Sequence, residues 1–597
     1  MGGDFLKILC FWRIQAYFLE ARHIYIGKKR VKRKRQPMEC EEAVYSNDYY
    51  DFIRNQALQV RSKYTDFCVQ KINEEFDIAY VSRQTSPVLN LQNYGYTSIP
   101  KCYTLMDEIA LEASGILQIQ DQPALSLKGQ GILIGFLDTG IDYENPVFRN
   151  SDGSTRIVGI WDQTERSGTK PEGFIYGTEY TDGQINEALL ALNPRDIVPI
   201  TDPEGHGTFM ASVAAGSEVP AQNFVGAAPY CKIAMVKLKP AKEYLRQFFF
   251  VPRSAEAFQE NDIMAGIAYL NQLAAKLRMP LVICFGLGTN MGSHTGVSHL
   301  STMLNGISLI SGRAVVAATG NEGNERHHYF GEIEVGGGYQ NVEVNVGEGV
   351  DGFSTELWAR APQRFIVEII SPTGERMPSD YILSGGREYQ FLFENTNVTV
   401  DFRITGILDG SQVVYMRFEG PSPGIWNIRV IPEMDMKSVF HMWLPMKELL
   451  KGEVFFVRSN PDTTLTVPSA ASAPMSVGAY DAKDNSIYLR SGRGYTTIGW
   501  IKPDFVAPGV GVYGAGLRNA FTTKDGTSVA AAITAGAVAL IMEWGIIRGN
   551  YTTITNIEIK NILIRGATRD SKRSYPDKAF GWGRLNLYQA FETLRIQ

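Results

Sequence analysis

The sequence predicts an α/β protein whose core is a parallel sheet covered by helices on both faces, and three features carry that prediction. Apolar strand-like runs alternate with helix-like stretches: 131–137; 232–238 before 257–277; 281–287 before 296–311; and 314–318. The first of these runs ends in Asp138, which puts a carboxylate at the C-terminal end of a buried strand, where open α/β sheets keep their sites. A second apolar run, 529–542, opens directly behind Asp525-Gly526-Thr527-Ser528 and reads as a buried central helix too short to cross a bilayer.

Composition sets outer limits. At 597 residues the chain calls for a sizeable core plus additional units, and 44% hydrophobic with 20% charged residues excludes a disordered or fibrous protein. The net charge of −5 argues against nucleic acid as a general partner. Six cysteines without a C-x-x-C pair predict reduced, buried thiols in a reducing compartment.

Residues 1–44 form a basic N-terminal extension, with an apolar stretch at 5–19 interrupted by Lys7 and Arg13 and followed by the run 28–35. A secretory signal places its charges first and ends in small residues, so this segment has the wrong polarity for one and is too short and charged to span a membrane. A solvated extension, or translation starting nearer Met38, explains it, as does a basic tail touching a membrane surface or nucleic acid. Between 45 and 100 lies a small mixed unit: the apolar spacing of 48–63 predicts a helix and 76–81 a strand. The core occupies 101–597, interrupted at 332–461 by alternating runs such as Val342, Val344 and Val346, with Gly- and Pro-rich turns at 420–424. Half a dozen or more such strands predict an inserted antiparallel β domain of sandwich or jelly-roll type.

Four short segments carry chemistry. Asp138-Thr139-Gly140 follows the first strand, Gly205-His206-Gly207-Thr208 opens a helical stretch, and Gly320-Asn321-Glu322-Gly323 follows another strand. Ser528 stands at a helix N-terminus, where backbone N–H groups and the dipole favour developing negative charge. Any one of these has a structural explanation, since a serine also caps helices. Their combination and order do not.

D-T-G, G-H-G-T, G-N-E-G and G-T-S-x-A-A in this order and context resemble the subtilisin-like serine peptidases. The resemblance implies Ser528 as nucleophile, His206 as general base, Asp138 as its orienting carboxylate and Asn321 as oxyanion donor. It also implies that Gly286, Leu287 and Gly288 border the substrate cleft and pair with an extended substrate, with Gly286 standing where a Ser is common. Residues 45–100 resemble a subtilase propeptide, a cis-bound inhibitor self-cleaved at a junction between about 93 and 105. The inserted β domain adds a resemblance to the Csp-type subtilases of clostridial bacteria, which implies a retained prodomain, a cytoplasmic or spore-associated location, and limited proteolysis that activates a cortex-lytic hydrolase precursor during germination.

Metal ligation has little support. His327 and His328 are adjacent and poorly placed to chelate one ion, and the polar turn 150–154 is the single candidate for calcium. Hydrolysis of this kind requires no cofactor. The expected partner is a protein or peptide substrate. The competing readings are a general degradative peptidase and a catalytically silent scaffold that binds a partner; a lost member of the Asp–His–Ser set would mark the latter.

Overall fold

The computed structural model describes residues 40–56, 67–105, 112–377, 385–405 and 410–595. The N-terminal extension up to residue 39, and 57–63 of the expected helix, lie outside them.

Eight strands make the central sheet: β1 (Leu133–Asp138), β2 (Ile157–Asp162), β3 (Thr178–Thr181), β4 (Lys232–Lys237), β5 (Leu281–Phe285), β6 (Arg313–Ala318), β7 (Met475–Tyr480) and β8 (Phe505–Pro508). Their order is β8-β7-β6-β5-β1-β4-β2-β3, parallel throughout except for the β2–β3 pair. Strands β1, β5 and β7 are buried along their whole length, and β1 up to Asp138 and all of β5 read as continuous apolar runs. The helices that position the site are α1 (His206–Ala215), α2 (Glu260–Leu277), α3 (His299–Ser308) and α4 (Thr527–Met542). Helix α2 turns Ile263, Ile267, Leu270 and Ala274 inward at helical spacing. Helix α4 is buried at every residue. The helical path in fact continues to Ile547, long and apolar enough to cross a membrane. Burial in the core, rather than the shortness expected from the sequence, accounts for its composition.

The N-terminal segment corrects one expectation. Tyr49–Asn55 is a strand, paired antiparallel with Phe76–Ser82, which in turn pairs with Phe67–Lys71. Tyr50, Asp51, Phe52 and Ile53 are all buried, so the strand is covered on both faces and its apolar residues do not alternate. That loss of alternation mimics helical spacing. Asp51 accepts Lys242 Nζ at 2.6 Å and Gln259 Nε2 at 3.1 Å, tying this sheet to the core.

Cysteine chemistry supplies a second correction. Cys40 and Cys68 form a disulfide with Cα atoms 5.5 Å apart, within the reach of such a bond. Their separation of 28 residues concealed the pairing from the sequence. Cys102, Cys231 and Cys284 are buried free thiols.

The inserted β domain is a two-sheet antiparallel sandwich that starts at the strand His328–Ile333, slightly before the expected boundary, and ends with Val454–Phe456. It has its own apolar core, including Phe353, Leu357, Phe418 and Trp426. A further small sheet sits beside the site: Cys102–Leu105 lies between Leu287–Gly288 and Phe258–Gln259, antiparallel to both.

Candidate active site

Three residues far apart in the chain converge at the C-terminal edge of the sheet. Asp138 ends β1, His206 is the first residue of α1, and Ser528 is the second residue of α4. His206 Nδ1 lies 2.8 Å from both Asp138 carboxylate oxygens, and Nε2 lies 3.3 Å from Ser528 Oγ. Because a carboxylate only accepts, Nδ1 carries the proton, and Nε2 is left as acceptor for the Ser528 hydroxyl. All three side chains are buried. Gly207 makes the approach of α1 to β1 possible: a Cβ there would stand 2.1 Å from the Gly140 carbonyl oxygen and 3.0 Å from Asp138 Cβ.

Asn321 follows β6 and is oriented by Thr527, whose backbone N–H and hydroxyl both lie 3.2 Å from its Oδ1. Its Nδ2 is thereby left as the outward donor. Behind it, Glu322 accepts His327 Nδ1 at 2.6 Å and Asn290 Nδ2 at 2.8 Å, anchoring the loop to the start of the sandwich and to the cleft strand.

Gly286, Leu287 and Gly288 run past Ser528. A Cβ on Gly286 would come within 3.2 Å of Ser528 Cβ and 3.7 Å of His206 Cε1, so the backbone itself walls the site there. Leu287 and Gly288 pair antiparallel with Leu105 and Thr104, so the N-terminal segment adds a strand to this edge, next to Gly286.

Sequence reasoning missed Asp202. Its Oδ1 accepts the Thr139 hydroxyl at 2.6 Å and Gly205 N–H at 3.0 Å, and its Oδ2 accepts the N–H and hydroxyl of Thr208 at 2.8 and 2.7 Å. It thus bridges the loop bearing Asp138 to the helix bearing His206. The signal available was an acidic residue just ahead of a helix start, a capping pattern. At the turn 150–154, Asp152 accepts the backbone N–H and hydroxyl of Ser154, and Asn150 Nδ2 donates to Ser154 Oγ, as in an ordinary polar turn.

A doubly covered parallel sheet presenting Asp, His and Ser in this chain order is the architecture of a subtilisin-like peptidase. The subtilase family pattern of peptidase S8 matches residues 129–345 and 450–583, and the chain belongs to that family. Its unmatched middle falls within the sandwich. The CspB protease of Clostridium perfringens has a similar structure, with a TM-score of 0.73 and 31% identity over 81% of this chain and 99% of that one. Membrane-bound transcription factor site-1 protease of Mus musculus is 34% identical over 141 residues, 22% of this chain and 12% of that protein. Subtilisin DY of Bacillus licheniformis is 29% identical over 132 residues, 22% of this chain and 42% of its own length. This chain therefore spans about an eighth of the length of the site-1 protease and under half of subtilisin DY.

Proposed function

We propose that the protein is a serine endopeptidase that cleaves protein substrates through an acyl-enzyme on Ser528. The observation that carries this reading is the unbroken hydrogen-bonded series from Asp138 through His206 to Ser528. In the proposed reaction His206 Nε2 takes the Ser528 proton as Oγ attacks the scissile carbonyl, Asp138 stabilises the resulting imidazolium, and Asn321 Nδ2 donates to the oxyanion. His206 then returns the proton to the leaving amine, and a water repeats the sequence to free the acid. These side chains supply the whole reaction without a cofactor.

The first substrate is proposed to be the chain itself. Cys102–Leu105 lies in the cleft in the direction of an extended substrate, which favours a cut on the C-terminal side of Leu105 and a 45–100 segment that acts as a cis inhibitor. A cleft already filled by its own strand also favours limited processing over general degradation. Together with the likeness to CspB protease, this supports the germination reading, activation of a cortex-lytic hydrolase precursor in a spore-forming bacterium.

Intact mass and N-terminal sequencing of wild type beside Ser528→Ala test the proposal. Wild type is expected to split and to react with a fluorophosphonate, while the variant stays whole and loses about a million-fold in kcat. Two uncut, unlabelled proteins would instead make the chain a binding scaffold.

A further inference from the structure

The outer end of the cleft buries Lys101 within the field of two buried carboxylates, Glu260 and Glu356, with its ammonium hydrogen-bonded to backbone carbonyls rather than to either of them. A small cavity of about 40 Å³ lies there between the N-terminal segment, the core and the sandwich, lined in part by Tyr96, Lys101, Tyr103, Glu260, His299 and Trp358. Glu260, the first residue of α2, accepts the backbone N–H of Lys101 at 3.2 Å and of Leu300 at 3.3 Å. Glu356, on the sandwich strand Gly352–Ala359, accepts the Tyr96 hydroxyl at 2.6 Å, the Trp358 indole N–H at 2.8 Å and the Gly292 N–H at 2.9 Å.

Lys101 lies in the same pocket, 6% exposed, its Nζ donating to the Tyr96 and Ile99 carbonyls and sitting 4.3 Å from the Tyr96 ring centroid. Burial pushes Glu260 and Glu356 up, and the Lys101 charge pulls against that shift at both. Two residues on, Tyr103 is fully buried, and its hydroxyl has no hydrogen-bond partner.

Ownership of these groups is what matters. Glu260 and Glu356 belong to the core and the sandwich, whereas Lys101 and Tyr103 belong to the segment lying in the substrate's place. A chain that took this place without a cation would remove the positive charge that favours the ionised form of these buried carboxylates, leaving only the hydrogen bonds from Leu300, Trp358 and Gly292, which is costly. It would also leave the Tyr103 position as an apolar void.

Resting on the peptidase reading of Ser528, we propose that this end of the cleft selects substrate segments carrying Lys or Arg two residues before a bulky aromatic residue, the pattern of Lys101 and Tyr103, with Glu260 and Glu356 reading the positive charge. Substrates are then basic-aromatic stretches lying N-terminal to the cut, and the chain's own segment is the template for them.

Quenched fluorescent peptides of sequence 97–112 test this with the full-length protein. Replacing the lysine at position 101 of the peptide with Ala is expected to lower kcat/KM by about tenfold, Arg to restore most of it, and Ala at position 103 to lower it by a similar factor. In the Glu260→Gln protein the ratio between Lys and Ala peptides is expected to fall to about one. Equal cleavage of all four peptides by labelled, active enzyme would overturn the proposal. Absence of both fluorophosphonate labelling and hydrolysis would instead sink the peptidase reading, and the charge recognition is then read in the uncut chain. There Lys101→Met is expected to lower Tm and a second change, Glu260→Gln, to restore more than half of the loss; no restoration would overturn it.

Discussion

Glu322 and His327 form a buried ion pair, Oε2 to Nδ1 at 2.6 Å, immediately behind Asn321. The pair joins the loop that presents the proposed oxyanion donor to the first strand of the sandwich. Burial pulls the His327 imidazole down, but the Glu322 carboxylate and its hydrogen bond outweigh this and hold it above its ordinary 6.5. Burial likewise pushes Glu322 up, and the His327 charge with hydrogen bonds from His327, Asn290 and Lys447 brings it below the usual carboxylate range.

The raised imidazole contributes stability that is complete below 6.5 and is lost as pH rises through its folded pKa. The depressed carboxylate contributes stability that is lost as pH falls through its own. His327→Ala at neutral pH strands a buried carboxylate and is expected to cost about 3 kcal/mol in urea unfolding. Combining it with Glu322→Gln should cost less than the sum of the two changes; strict additivity would show that the pair is not coupled.

Asn321→Ala removes the proposed oxyanion donor while leaving Ser528, His206 and Asp138 in place. The expected outcome is a loss of about a hundredfold in kcat with KM little changed, and fluorophosphonate labelling that is slowed but not abolished. A change confined to KM would reassign Asn321 to ground-state binding.

Asp202→Ala breaks the bridge between the Asp138 loop and the His206 helix. Misplacement of His206 relative to Ser528 is expected to lower kcat by about tenfold in the folded protein, with a shifted acid limb in the pH profile of kcat/KM. A variant that lost stability but kept its kcat and pH profile would confine Asp202 to a structural role.

His328 and His441 face each other with Nε2 and Nδ1 2.9 Å apart, both stacked on Trp443. Burial, and then the neighbouring histidines, hold His441 at about 3 and His328 well below its ordinary value. Depressed folded values mean that the unfolded chain binds more protons between about 6.5 and the folded values, so stability from this pair is complete above 6.5 and falls as pH drops. Thermal melts from pH 7 to pH 4 should show a declining Tm, and His441→Gln should flatten that decline.

Much of the core was legible because local pattern and tertiary role coincide there. Strands covered on both faces read as apolar runs, and the residues at their ends, Asp138, Asn321 and Gly286, stand where a parallel sheet presents its site. The order of the four motifs then singled out Asp138, His206 and Ser528, which the fold brings within hydrogen-bonding range of one another. The sandwich was legible by alternation, since each of its sheets has one face on a core of its own.

What the tertiary structure alone decided are the relations between distant segments. The strand Tyr49–Asn55 looked helical because packing on both faces erased its alternation, and Cys40 found Cys68 because folding, not spacing, placed them together. Asp202, the Glu322–His327 pair, and the joint hold of Glu260 and Glu356 on the segment bearing Lys101 follow the same rule. Each is a polar group made tolerable in the interior by a partner supplied from elsewhere in the chain, and one sequence read in order carries no trace of which partner that is.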